Sequence, residues 1–120
     1  NDVVLVIWKK RSDWEIQHFQ IMLSPYFVYI TTNQNKSVLY IGVTNNIQDR
    51  LSQHQFDSQN AKKSFAGRYN CIHLVYYERF DSIEMAIARE KELKKWRREK
   101  KDRLISNFNP NWEFLNNEMV

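Results

Sequence analysis

The stretch Pro25 to His54, PYFVYITTNQNKSVLYIGVTNNIQDRLSQH, constrains this chain more than any other. Two β-branched and aromatic runs, Phe27-Val28-Tyr29-Ile30 and Val38-Leu39-Tyr40-Ile41, flank the turn-forming cluster Asn33-Gln34-Asn35-Lys36. That pattern predicts a β-hairpin closed by the cluster, with Thr32 paired to Ser37. Counting back along both strands sets Tyr29 opposite Tyr40, so that two phenols share one face of a sheet. The same register sets Gly42 against Phe27 and leaves its backbone open to a ligand. A helix is expected next. Asn45 or Asn46 can cap it, Ile47 and Leu51 give it an apolar edge, and Arg50 and His54 share a separate stripe. Singly, a sheet tyrosine is ordinarily core and a helical arginine a solvated charge, so any functional weight rests on the combination.

A chain of 120 residues with 42% hydrophobic and 14% aromatic content is expected to fold around one core. The net charge of +4 favours an anionic partner. The single cysteine, Cys71, excludes an internal disulfide and suits a reducing compartment, here expected to be the cytoplasm. It is expected to be buried, since Cys71 and His73 have no companions at zinc-ligand spacing. The apolar run Val3 to Trp8 is too short to span a membrane and precedes Lys9-Lys10-Arg11, the reverse of a signal peptide's order. Residues 1–21 are therefore expected to form an appended strand or a poorly packed extension, with the domain proper at 22–120.

Residues 55–68 are polar and lack a sustained period, which predicts a loop in which Lys62, Lys63 and Arg68 can meet phosphates. Cys71 to Tyr77 reads as a third strand. Asp81 with Glu84 forms a capping-box-like pair for a long helix, and Phe80 can staple onto Met85. On a helical wheel Ile83, Ala86, Ile87 and Leu93 fall in one arc, with Glu90 in its middle. A carboxylate there needs compensation, either an ion pair with Lys94 or a metal ion. Residues 89–103 then carry nine Lys/Arg against four Asp/Glu, a local net of +5. Lys94, Lys95, Arg97, Arg98, Lys100 and Lys101 are accordingly candidates for contacts to a phosphate backbone. The tail Asn107-Phe108-Asn109-Pro110-Asn111-Trp112 reads as a helix stop followed by an aromatic anchor.

Tyr40-Ile41-Gly42, with Tyr29 before it and Arg50, His54 and Glu90 after it, resembles the signature of the GIY-YIG nuclease superfamily. The first half of that signature is degenerate, reading Phe27-Val28-Tyr29. The likeness is to the small single-domain members and to the N-terminal nuclease domain of the repair excinuclease. It implies an endonuclease that hydrolyses phosphodiester bonds with Mg²⁺ or Mn²⁺. Catalytic roles would fall to Tyr29, Tyr40, Arg50, His54 and Glu90, with Glu90 the metal ligand and Asn109 the candidate for a late active-site asparagine. Gly42 and the basic helix would meet nucleic acid, DNA ahead of RNA, in a homodimer or a larger repair complex. Which of Tyr29, Tyr40 or His54 serves as general base stays open. The expected fold is α+β: a small three-stranded antiparallel sheet flanked by helices. Strands are expected near 26–31, 38–43 and 71–78, and helices near 46–55, 82–99 and 100–107. The alternative function is a basic nucleic-acid-binding module that keeps the fold and does not cleave; a protein-interaction domain using exposed aromatics is a third reading.

Overall fold

The computed structural model describes residues 25–60 and 69–119. The expectations for residues 1–21 and for Lys62, Lys63 and Arg68 lie outside them. The strands β1 (Tyr26–Thr32), β2 (Leu39–Thr44) and β3 (His73–Phe80) form one antiparallel sheet in the order β2-β1-β3. Helix α1 (Ile47–Gln59) follows β2, while α2 (Ile83–Lys94) and α3 (Arg98–Phe108) follow β3, and a short 3₁₀ turn spans Asn116–Met119. No helix among the described residues is long and apolar enough to cross a membrane.

Because side chains alternate along a strand, the sheet buries a core on each face. Val28, Ile30, Ile41 and Val75 pack with Ala86 and Leu93 of α2 and Ile105 of α3. On the other face Tyr29 and Leu74 pack with Ile47 and Leu51 of α1 and with Leu115 of the tail. Where Ile30 pairs with Tyr76 and Thr31 with Leu74, β3 carries an extra residue, Val75. This bulge lets Val75 and Tyr76 enter the same core. The outer edge of β3 is covered by the tail: Leu115 N–H donates to the Leu74 carbonyl at 2.7 Å, and the Asn116 carboxamide bonds Leu74 and Ile72 at 2.8 Å each.

The hairpin register differs from the expected one by two residues. Tyr29 pairs with Gly42, Thr31 with Tyr40, and Thr32 with Leu39 rather than Ser37. The Asn33 carboxamide oxygen accepts from the N–H of Ser37 at 2.9 Å and of Val38 at 3.1 Å, which draws both residues into the loop. Lys36 completes the turn in the left-handed region, at φ 60°. An even slip keeps every side chain on its face, so Tyr29 and Tyr40 remain on one side of the sheet.

Two helix boundaries also move. α1 continues through Gln59, so the first part of the expected loop is helical. The expected 82–99 helix stops at Lys94. There the N–H groups of Lys95 and Trp96 fall back on the carbonyls of Glu92 and Leu93, and Arg97 is extended at φ −70° and ψ 159°. The cap of α2 is Ser82 rather than Asp81: its hydroxyl accepts from Met85 N–H at 3.2 Å.

Candidate active site

The strand-to-helix junction after β2 is built from short polar side chains. Thr44 Oγ1 accepts from Asn46 N–H at 3.0 Å, and the Asn46 carboxamide caps α1 by accepting from Asp49 N–H at 3.0 Å. This entry lays α1 across the Tyr29 face of the sheet and buries His54, only 4% exposed, against the phenols. The Tyr29 hydroxyl lies 2.9 Å from His54 Nε2 and also bonds the Tyr40 hydroxyl. The Tyr40 and His54 rings meet edge to face, with centroids 5.0 Å apart. Tyr29 is 1% exposed, whereas Tyr40 is half-buried at the rim, so the chain of hydroxyls runs from the surface inward to the imidazole.

Gly42 has a different role from the expected one. It is buried opposite Tyr29, and a Cβ built on it would stand 2.5 Å from the Tyr29 hydroxyl and 2.7 Å from Cζ. Its missing side chain is therefore the seat of the phenol, and its backbone is covered rather than open to nucleic acid.

Charge reaches this cluster from two sides. Burial raises the Tyr29 pKa far above that of a free phenol, and neighbouring Tyr40 and Glu90 push the same way while Arg50 opposes them. Burial also lowers the His54 pKa below its ordinary 6.5, and the Arg50 guanidinium lowers it further. Both phenol and imidazole are thus neutral at pH 7. Arg50 itself is exposed on α1 and lines a cleft of about 380 Å³ with Thr44, Asn45, Asn46, Asp49 and Gln53. Glu90 belongs to the α2 layer, where Ala86 and Leu93, both 0% exposed, flank it in the apolar stripe; Ile83 and Ile87 instead turn outward, 42% and 38% exposed. The Glu90 side chain is 19% exposed, and its Oε2 is 3.0 Å from Lys94 Nζ. Of the five expected catalytic side chains, Tyr29, Tyr40 and His54 are in direct contact, while Arg50 on α1 and Glu90 on α2 act on the Tyr29 phenol through their charge.

Other expected residues are engaged elsewhere. Asn109 is 7% exposed, and its amide donates to the carbonyls of Val75 and Glu113 while its oxygen accepts from Glu113 N–H. It clamps the end of α3 to β3. Arg98 donates to the Ser37 and Lys36 carbonyls at 2.8 and 2.9 Å and to Asp102 at 2.7 Å, so its guanidinium holds the hairpin loop. Lys100 lies over the Trp96 ring at 4.1 Å. Lys95, Arg97 and Lys101 have no acidic partner among the described residues. Cys71 is buried and free, as expected. Sequence reasoning missed Leu39 and Ile41 as walls of a second cleft, of about 250 Å³, that they form with Tyr40, Lys94 and Lys101. It also missed Glu78, which receives Tyr76 at 2.7 Å and Arg89 at 2.9 Å and ties β3 to α2. No local signal marks either, because their partners are far apart in the chain.

Two phenols and an imidazole thus form one contacting cluster, with a guanidinium on α1 and a carboxylate on α2 acting on its central phenol through their charge. The GIY-YIG catalytic domain matches residues 25–103, and the chain belongs to that nuclease family. Among curated proteins it is similar to a UPF0213 protein of Natronomonas pharaonis, 36% identical over 85 residues that cover 71% of this chain and 95% of the relative. A UPF0213 protein of Staphylococcus saprophyticus is 36% identical over 84 residues, covering 70% of this chain and 98% of that protein. Another, of Haloquadratum walsbyi, is 35% identical over 79 residues, with 66% and 84% covered. No solved structure matches the chain.

Proposed function

We propose that this chain is a divalent-metal-dependent endonuclease that hydrolyses phosphodiester bonds in DNA. The observation that carries this reading is the hydrogen-bonded set Tyr40, Tyr29 and His54, whose central phenol feels both Arg50 and Glu90. The donor chemistry at Glu90 fits a divalent ion. Among the described residues no three His, Cys, Asp or Glu side chains converge on a metal site, so a single hard carboxylate would hold the ion and water would complete its shell. Mg²⁺ favours that arrangement, with Mn²⁺ as the alternative ion. When bound, such an ion would supply positive charge to the leaving oxygen and to a non-bridging oxygen of the phosphate.

The remaining work falls to the protein's own groups. Tyr40, at the rim, is the phenol a water can reach. Tyr29 is too desolvated to ionise at neutral pH and serves as a neutral link. His54 is neutral, and its Nε2 can accept the Tyr29 proton in the tautomer that carries hydrogen on Nδ1. As water attacks phosphorus, its proton passes to Tyr40, that of Tyr40 to Tyr29, and that of Tyr29 to His54. Each phenol gains one proton and gives one up, so neither has to exist as a free phenolate. Arg50 holds a non-bridging oxygen from the α1 side through its guanidinium. The basic residues Lys95, Arg97 and Lys101 extend the positive surface along the α2–α3 junction.

The alternative is a module that binds DNA and does not cleave, and it draws on the ion pair that engages Glu90 with Lys94. Supercoiled plasmid incubated with Mg²⁺ or Mn²⁺, against EDTA, separates the two. Metal-dependent nicking that Glu90→Ala removes supports the nuclease, whereas tight binding with no nicking under any cation supports the module.

A further inference from the structure

Lys94 stands at a junction of two sites. Its ammonium lies 3.0 Å from Glu90 Oε2, and the same side chain lines the cleft formed with Leu39, Tyr40, Ile41 and Lys101. That cleft opens directly beside the rim phenol. It offers an apolar floor and two ammonium groups, and Lys101 has no acidic partner among the described residues. While Lys94 is neutralised by Glu90, the cleft presents one uncompensated positive charge; with Lys94 released it presents two.

The ion pair is suited to being broken. Lys94 is 54% exposed on a flexible stem, and an i,i+4 pair of that kind is worth little in water. Glu90, at 19% exposed, is the less mobile partner and is the group that a divalent cation would claim. A cation and the Lys94 ammonium cannot share this carboxylate without strong repulsion.

We propose that the Leu39, Tyr40, Ile41, Lys94, Lys101 cleft is a phosphodiester subsite for a nucleotide flanking the scissile bond, completed only when a divalent cation displaces Lys94 from Glu90. The inference rests on the metal reading above and adds its consequence: cation and DNA bind cooperatively, with Lys94 as the coupling group. Free enzyme keeps Glu90 paired, and an ammonium becomes available to the substrate at the moment the site acquires its ion. Reciprocity then requires DNA to tighten cation binding, because a Lys94 engaged by phosphate no longer competes for Glu90.

The test uses the full chain, Mn²⁺ titrated calorimetrically, and a fluorescein-labelled DNA duplex titrated by anisotropy in Ca²⁺ or EDTA at several salt concentrations. Lys94→Met is expected to bind Mn²⁺ about twofold more tightly than wild type in the absence of DNA, since it loses a weak competitor. In EDTA the two proteins should show equal salt slopes for DNA binding. In Ca²⁺ the wild-type slope should be steeper than that of Lys94→Met by about one unit, for one added phosphate contact. In a Glu90→Gln background, Lys94→Met should flatten the slope by about one unit even in EDTA. If Glu90→Gln leaves Mn²⁺ affinity at the wild-type value, the metal reading fails and the gate falls with it. If Glu90→Gln abolishes Mn²⁺ binding but Lys94→Met changes the slope equally in Ca²⁺ and EDTA, or in neither, the gate alone is overturned.

Discussion

Gly42→Ala probes the seat of Tyr29 with a single methyl group. The added Cβ would lie 2.5 Å from the Tyr29 hydroxyl oxygen, 2.7 Å from Cζ and 2.9 Å from Cε2, all closer than non-bonded atoms sit. Tyr29 cannot swing aside freely, being 1% exposed and bonded to His54 Nε2 at 2.9 Å. Forcing a methyl into such a contact costs about 1–3 kcal/mol, and pulling the phenol off the imidazole costs about 1 kcal/mol more. Against this, alanine loses less backbone entropy than glycine in a strand, a gain of about 0.5–1 kcal/mol, and Gly42 is not among the residues at positive φ, so no backbone strain is added. The net loss is about 2 kcal/mol, which for a domain of this size lowers Tm by roughly 10 °C. Urea unfolding followed by circular dichroism measures it. In a Tyr29→Leu background the clash is gone, and Gly42→Ala should cost less than about 0.5 kcal/mol, within ordinary additivity. A Gly42→Ala protein as stable as wild type, or one equally destabilised in both backgrounds, would refute the steric argument.

Three further outcomes are expected. His54 has a depressed folded pKa, so its contribution to stability is complete above 6.5 and is lost as pH falls through the folded value; the unfolding free energy from urea titrations should drop on that side by up to about 1.4 kcal/mol per pH unit, and His54→Gln should flatten the drop. Arg98→Ala should loosen the hairpin loop while leaving the salt slope of DNA binding unchanged, because its guanidinium is held by Lys36, Ser37 and Asp102; Arg97→Ala should lower that slope by about one unit, as anisotropy titrations will show. Asn109→Ala strands the buried Val75 carbonyl and should cost about 2–3 kcal/mol in urea unfolding.

What the sequence disclosed follows from the range of the forces involved. Alternating β-branched and aromatic residues marked the hairpin, and the placement of Tyr29 and Tyr40 on one face survived a wrong register because the slip was even. The slip itself came from one carboxamide, that of Asn33, competing for the N–H groups of Ser37 and Val38. Propensity counting does not register such competition. Glu90 was legible as an anomaly in an apolar stripe, and its buried flanks Ala86 and Leu93 bear this out. The break at Lys95 was hidden, since the residues around it are good helix formers and only the packing of Trp96 against the sheet core turns the chain there. The basic run overstated the free charge for the same reason: Arg98 serves a loop far away in sequence and Lys100 a tryptophan ring. Gly42 was noticed for its missing side chain, but the ring that fills the space could be identified only once the register was known.

In the proposed reaction the surface phenol, Tyr40, delivers its proton inward through Tyr29 to His54. The most direct test is the single-turnover rate of plasmid nicking in Mg²⁺ as a function of pH, for wild type and for Tyr40→Phe, Tyr29→Phe and His54→Gln, with DNA affinity measured alongside. The account predicts that Tyr40→Phe stops nicking while DNA binding holds. It predicts that Tyr29→Phe and His54→Gln are each slowed at least about a hundredfold, as for loss of a general base, and that the acid limb of the wild-type profile disappears in His54→Gln. Wild-type nicking rates in Tyr40→Phe, or an acid limb unchanged by His54→Gln, would contradict it.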